Sequence, residues 1–272
     1  MGRIKRELLG IWSFKMSSAR EIVYLSPPAK VSMADRWYDI ASVDHFWMRR
    51  RFEVLQRIAG HTISEAHELA EIGCGSGLLQ RQIEDRYNRQ ITGFDLNEYA
   101  LKQNVSQRSE VCCYDIYEKN PSLRCKFDVI LLFDVLEHIA DEDRFLEALK
   151  HHLAPAGYLV ANVPAGQWAY SEYDRAAGHV RRYSIRSLRE TARRNRFSAV
   201  NWSYWGLPLL PPLMLRKLWL SGQRDESKVI SAGFDSRTEV INRSFRLLSK
   251  CEPIPQKLAG SSLMSVFQLG AG

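Results

Sequence analysis

Three glycines at alternate positions, Gly73, Gly75 and Gly77, sit within the stretch AEIGCGSGLLQ (70–80), and acids follow at Asp95, Asp115 and Asp134. Glycines at a strand-to-helix turn let backbone N–H groups approach a ligand closely, and the helix behind them adds positive potential. The spacing is G-x-G-x-G with Glu71 two residues ahead, not the dinucleotide fingerprint G-x-G-x-x-G. A triphosphate cradle would end in Gly-Lys-Ser/Thr, whereas Gly77 is followed by Leu78 and Leu79. The pattern points to a ligand without phosphate. The three acids each follow an apolar run, at intervals near 20 residues. In a parallel sheet all three reach the carboxyl edge, where open α/β folds bind their ligands. The second strand's carboxylate is placed to accept both hydroxyls of a ribose. The third's can accept from an adenine amino group, with Ile116 against the ring.

These residues need a scaffold, and the pattern supplies one. From residue 68 to 163, the apolar runs ELAEI, ITGF, VCCY, FDVILLF and GYLVANV alternate with helically spaced segments such as Asn97–Arg108 and Asp141–His152. That is a βαβ series, hence a parallel sheet covered on both faces. A helix over Asp44–Ile58 is expected upstream, closed by Gly60, and another over Ser184–Asn195, capped by Ser184. Strands at 198–204 and 262–269 complete a seven-strand sheet. Residues 206–258 read as an insertion or lid within a single domain over 33–272, and residues 1–32 as a loosely packed extension.

Composition narrows the class. The 272 residues are 45% hydrophobic and 25% charged, as in ordinary soluble domains, and the net charge of +7 suits an anionic partner. Five cysteines with no C-x-x-C pair argue against a disulfide framework or zinc knuckle and read as reduced core thiols of a cytoplasmic protein. The basic N-terminus has too short an apolar run for a signal peptide, and no stretch is long enough to span a membrane.

Together AEIGCGSG, GFDLN, YDI and FDVILLFDVLEHI resemble, in order and spacing, the class I S-adenosylmethionine (SAM)-dependent methyltransferases. The resemblance covers roughly 40–205 and returns at the last strand. It implies a Rossmann-like, mostly parallel sheet in order 3-2-1-4-5-7-6 with strand 7 antiparallel. It implies SAM as cofactor, with Gly73, Gly75 and Gly77 bordering its methionine, Asp95 taking the ribose, Asp115 and Ile116 taking the adenine, and Glu71, Cys74 and Leu96 also among the cofactor-binding residues. Phe133 and Asp134 border the same site, and Arg51 is implied to reach the SAM carboxylate, with Arg49 and Arg50 as close rivals.

DVLEHI (134–139) is similar to the small-molecule O-methyltransferase branch that includes ubiquinone-biosynthesis enzymes, and the Asn/Asp-Pro-Pro-Tyr motif of nucleobase-methylating enzymes is missing. YDRAAGHVRRYSIRSL (173–188) resembles a D-x-x-x-G-H-x-R-R-Y segment of a bacterial subgroup in polysaccharide, lipid or secondary-metabolite pathways. The expected reaction is O-methylation of a small, anionic or glycan- or lipid-linked acceptor. A hydroxyl acceptor must lose its proton, and His138 and His179 are the candidate bases. Asp134, Glu137, His138 and His179 could also converge on a divalent metal. Arg181, Arg182 and Tyr183 are candidates for gripping the acceptor.

The apolar opening of the insertion (205–220), with Arg216 and Lys217 beside Trp219, suits a lid, a homodimer face or a contact with anionic lipid. Two rivals remain. The basic charge suggests an RNA methyltransferase, but no aromatic–basic interleave supports nucleic acid as partner. A non-catalytic SAM-binding module is the other.

Overall fold

The computed structural model describes residues 21–31, 38, 42–222, 229 and 239–270. The first 20 residues of the expected extension, and most of 223–238 in the expected lid, lie outside the described residues.

Eight strands form one sheet: β1 (Val23–Tyr24), β2 (Leu69–Ile72), β3 (Thr92–Asp95), β4 (Val111–Cys113), β5 (Phe127–Phe133), β6 (Leu153–Pro164), β7 (Phe197–Trp205) and β8 (Ser262–Leu269), in order β1-β4-β3-β2-β5-β6-β8-β7. Without β1 this is the expected order of seven, and β8 pairs antiparallel with both β6 and β7. The extra strand arises because Val23 and Tyr24 pair with Cys112 and Cys113 on the β4 edge. Backbone N–H groups of Leu25 and Ser26 donate to Cys113 O, and Ser26 Oγ accepts from Asp115 N at 2.9 Å. Pairing of this kind satisfies an otherwise open edge.

Among the described residues, eight helices pack around the sheet: α1 (Phe46–Glu65), α2 (Leu78–Tyr87), α3 (Glu98–Lys102), α4 (Glu142–His152), α5 (Glu172–Ala176), α6 (Ile185–Arg194), α7 (Leu210–Leu220) and α8 (Glu239–Ser249). Side chains alternate across a strand, so β2 and β5 feed two cores. Ala70, Ile72, Ile130 and Leu132 join α4 and α6 residues on one face. Leu69, Val129, Leu131 and Phe133 join Val54, Leu55 and Ile58 of α1 and Leu79 and Ile83 of α2 on the other. Glu71 shares that second face.

Two helices depart from the pattern. α1 runs through Gly60 to Glu65; the missing Cβ there leaves room for Tyr87 Oη, which would lie 3.2 Å from one. The helix expected over Asn97–Arg108 stops at Lys102. Its remainder is consumed by Glu84, whose carboxylate accepts from the backbone N–H groups of Gln107, Arg108 and Ser109 at 2.7–2.9 Å. All five cysteines are free; Cys74, Cys112 and Cys113 are buried as expected, but Cys125 and Cys251 are exposed.

The described parts of 206–258 border the cavity at the carboxyl edge and pack beside α1. Phe46 stacks on Phe245 with ring centroids 5.2 Å apart, and Asn242 Oδ1 accepts from Phe46 N. At its base the buried Glu252 accepts from Gly206 N at 2.7 Å and Leu207 N at 2.9 Å, and it pairs with Arg50 of α1 at 3.5 Å. Among the described residues, no helix is long and apolar enough to cross a membrane.

Candidate active site

The turn after β2 reaches the carboxyl edge of the sheet with Gly73 at φ 78° and Gly75 at φ 52°. Non-glycine residues rarely adopt that left-handed region. Space is closed as well, since a Cβ on Gly73 would collide with the Val135 side chain and one on Gly75 would lie 2.7 Å from a Tyr38 ring carbon. Gly73, Cys74 and Gly75 line a cavity of about 880 Å³, while Gly77 sits at the N-cap of α2 outside its wall.

Asp95 faces the turn. Its Oδ2 accepts from Gly75 N at 2.7 Å and its Oδ1 from Asn97 N at 2.8 Å. Burial pushes its carboxyl up, and these backbone donors oppose the shift. Each oxygen keeps a further lone pair for a ligand hydroxyl. Glu71 is almost fully buried in the same wall, and its Oε2 has no hydrogen-bond partner among the described residues. Burial pushes it up to about 8 against the pull of the Arg51 charge. An orphaned buried carboxylate oxygen beside the glycine turn fits a cationic ligand group such as the SAM methionine end.

Arg51 does not stand free. Its Nη1 donates to Asp134 Oδ2 at 2.6 Å, and its guanidinium lies 5.2 Å from the Phe133 ring centroid. Asp134 adopts φ 56° and accepts from Asn162 Nδ2 at 2.7 Å, while Asn162 Oδ1 accepts from Trp205 Nε1 at 2.9 Å. Asn162 and Trp205 are fully buried links in this chain that sequence reasoning missed, because nothing local marks them.

Besides Gly77, three further expected cofactor residues stand away from the wall. Leu96, Asp115 and Ile116 do not line the cavity. Asp115 instead caps a short 3₁₀ turn by accepting from Tyr117 N at 2.9 Å, and Ile116 is buried in the core.

The histidines do come together. His138 and His179 line the cavity with ring centroids 4.8 Å apart and planes nearly perpendicular. Burial, then the neighbouring His179, pulls His138 down to about 4. Donor atoms of Glu137, His138 and His179 all lie within 4.8 Å of one another. Asp134 is not among them, so the expected four-donor metal set is not assembled; Arg51 and Asn162 hold its carboxylate instead. Burial, then the charge of Asp134, holds the Glu137 carboxyl well above the usual range.

Asp174 lies beneath His179, fully buried. Its Oδ1 accepts from His179 Nδ1 at 2.9 Å and from Arg182 Nε at 2.7 Å. Burial pushes it up, but these bonds and the Arg182 charge prevail and hold it at about 2. Of the three residues expected at the acceptor, only Arg182 lines the cavity. Arg181 pairs with Glu142 at 2.7 Å, and Tyr183 is buried with its Oη donating to Glu142 Oε1 at 2.6 Å. Tyr173 and Arg216, stacked with the guanidinium 4.3 Å from the ring centroid, line the same part.

Residues 35–201 match the family Methyltransf_23, a methyltransferase domain. Among curated relatives, a probable SAM-dependent methyltransferase of Mycobacterium tuberculosis is 29% identical over 141 residues, 51% of this chain and 50% of that protein. A ubiquinone biosynthesis O-methyltransferase of Caulobacter sp. is 31% identical over 107 residues, 37% of this chain and 42% of that one. The matched region thus spans half or less of these relatives' length. A solved SAM-dependent methyltransferase from Archaeoglobus fulgidus superposes with a TM-score of 0.53 at 16% identity, covering 82% of this chain and 96% of that one. The [4+2]-cyclase SpnF gives 0.57 at 16%, covering 90% and 99%. At such identity the superpositions speak for the fold alone. Family match, strand order and glycine turn agree: the chain belongs to the class I SAM-dependent methyltransferases.

Proposed function

We propose that this chain transfers a methyl group from SAM to a hydroxyl of a small acceptor, anionic or linked to a glycan or lipid. One observation carries the reading: the His138–His179 pair and the glycine turn with Asp95 line a single cavity. Its 880 Å³ lies toward the upper end of the about 300–1,000 Å³ of ligand pockets, leaving room for an acceptor beside the cofactor. Bound SAM would supply a methyl on a cationic sulfur, activated for in-line displacement. The protein would position the acceptor oxygen against that methyl and take its proton. On this reading Asp95 holds the ribose, Glu71 and the 73–75 backbone the methionine end, and a histidine acts as base.

Arg182 and Arg216 in the wall support an anionic acceptor. Leu215, Leu218 and Trp219 of α7 are 67%, 70% and 72% exposed beside Lys217, which supports a tail or an anionic lipid surface at that helix. Failure to sediment with anionic liposomes removes the lipid part of the proposal.

The test of the whole reading is methyl transfer from labelled SAM to a panel of hydroxylated acids and glycolipids, before and after prolonged chelation. Product formation that survives chelation supports the histidine base; loss restored by divalent ions moves proton removal to a cation. Incorporation into bulk RNA alone selects the RNA methyltransferase, and SAM binding with no product anywhere selects the non-catalytic module.

A further inference from the structure

His138 and His179 are both candidates for the base, and the structure separates them. His179 is held at every backbone polar group: its N–H donates to Asp174 O at 2.8 Å, and its carbonyl accepts from Tyr170 Oη at 2.7 Å. The preceding Gly178 takes φ 80°, and the following Val180 N donates to Glu137 O at 2.7 Å. The ring is held as well, through Nδ1 on Asp174 Oδ1. Among the described residues the other ring nitrogen, Nε2, makes no hydrogen bond, while the side chain lines the cavity.

Asp174 is itself overdetermined. Besides His179 and Arg182, its Oδ2 accepts from Ser171 N at 2.9 Å and Ser171 Oγ at 3.0 Å. Arg182 Nη1 reaches on to Ala165 O at 3.3 Å, anchoring the group to the end of β6. With four donors on two oxygens, the carboxylate can only accept from His179, so Nδ1 carries the hydrogen and, in the neutral ring, Nε2 holds the lone pair. The other charged or titratable groups around this ring are Glu137 and His138 on the 136–138 turn, Arg182, and Tyr173 and Arg216 beyond Asp174.

We propose that Asp174 is a positioning residue that locks His179 with its bare Nε2 toward the acceptor, making His179 the general base and His138 its neighbour. This rests on the methyl-transfer reading above. In the step, the acceptor O–H bond breaks and its proton goes to His179 Nε2. The oxygen keeps the bonding pair and forms the O–CH₃ bond as the CH₃–S bond breaks, with that bond's pair left on sulfur. His179 then releases the proton to solvent through the emptied cavity.

The test needs no known acceptor at its first stage. Long-range ¹H–¹⁵N spectra of the wild-type protein with S-adenosylhomocysteine should show His179 as the Nδ1–H form; the Nε2–H form would overturn the proposal. Asp174→Ala should populate both forms. It should lower kcat about 10²–10⁴-fold, on whichever panel acceptor turns over, with KM and SAM affinity within about threefold. The double variant Asp174→Ala/His179→Ala should be no slower than His179→Ala alone. Wild-type kcat in a folded Asp174→Ala protein refutes the positioning role. Should Asp174→Ala not fold, the wild-type spectrum still decides. A correct Nδ1–H form with full turnover in His179→Ala refutes the base while leaving methyl transfer intact.

Discussion

Arg51 of α1 and Asp134 after β5 meet at 2.6 Å in the cavity wall, so the residue expected to reach for the cofactor is already bound to the protein. The pair ties the first helix to the sheet edge and continues through Asn162 to the buried Trp205 of β7. Asp134 keeps its left-handed backbone because its carboxylate is gripped from both sides. Strain of this kind persists only where the surroundings overdetermine it.

Arg51→Ala should weaken SAM binding about tenfold and lower stability by about 1–3 kcal/mol, because Asp134 loses its charged partner in a partly buried site. Calorimetric titration and urea unfolding read the two effects separately. Unchanged affinity would leave the pair a purely structural tie.

Asp95→Ala should abolish SAM binding. The carboxylate orders the turn through Gly75 N and offers the remaining lone pairs on this edge. Wild-type affinity by calorimetry would remove Asp95 from the cofactor site.

Glu71 sets a pH dependence with a definite sign. Its folded value is raised from 4.5 to about 8, so the ligand-free protein holds a proton that the unfolded chain releases. The stability this contributes is fully present below about pH 4.5 and is lost as pH rises through about 8. A cationic ligand favours the ionised carboxylate, so SAM affinity should strengthen over that same rise. Glu71→Gln should flatten both curves, measured by thermal unfolding and calorimetry from pH 6 to 9.

Glu252→Ala should loosen the lid. One buried carboxylate holds Gly206 N, Leu207 N and Arg50; its removal leaves the two backbone donors unsatisfied and leaves Arg50 only Glu53 as a carboxylate partner. A loss of about 2–4 kcal/mol is expected in urea unfolding, together with faster proteolysis within 206–258. Unchanged proteolysis would show that the Phe46–Phe245 and Phe46–Asn242 contacts retain the segment without Glu252.

Trp205→Ala should cost about 3–5 kcal/mol, since the ring is fully buried, packs on Trp47 at 4.4 Å and satisfies Asn162. Trp205→Phe should recover most of the packing but not the hydrogen bond. Equal stability of the two variants would assign the whole effect to Asn162.

Local pattern determined the sheet. Runs such as FDVILLF can be buried only between two layers, and alternation with helices then dictates parallel strands. The glycine turn was legible because a left-handed backbone in a crowded turn excludes side chains wherever it occurs. Asp95 and the two histidines were legible as well, since strand ends and the G-H turn carry them to one edge of the sheet.

What sequence could not determine is which polar groups remain available once the chain closes. Arg181 and Tyr183 stand beside Arg182 in the chain but belong to Glu142 in space. Asp134 keeps metal-like spacing to Glu137 and His138 yet is captured by Arg51, 83 residues away in sequence. Asp174 looks like any helix-start acid until folding brings its second oxygen under His179. Residue type and spacing follow from local sterics, whereas the pairing of buried charges is settled only by long-range packing, which decides the partner each one meets.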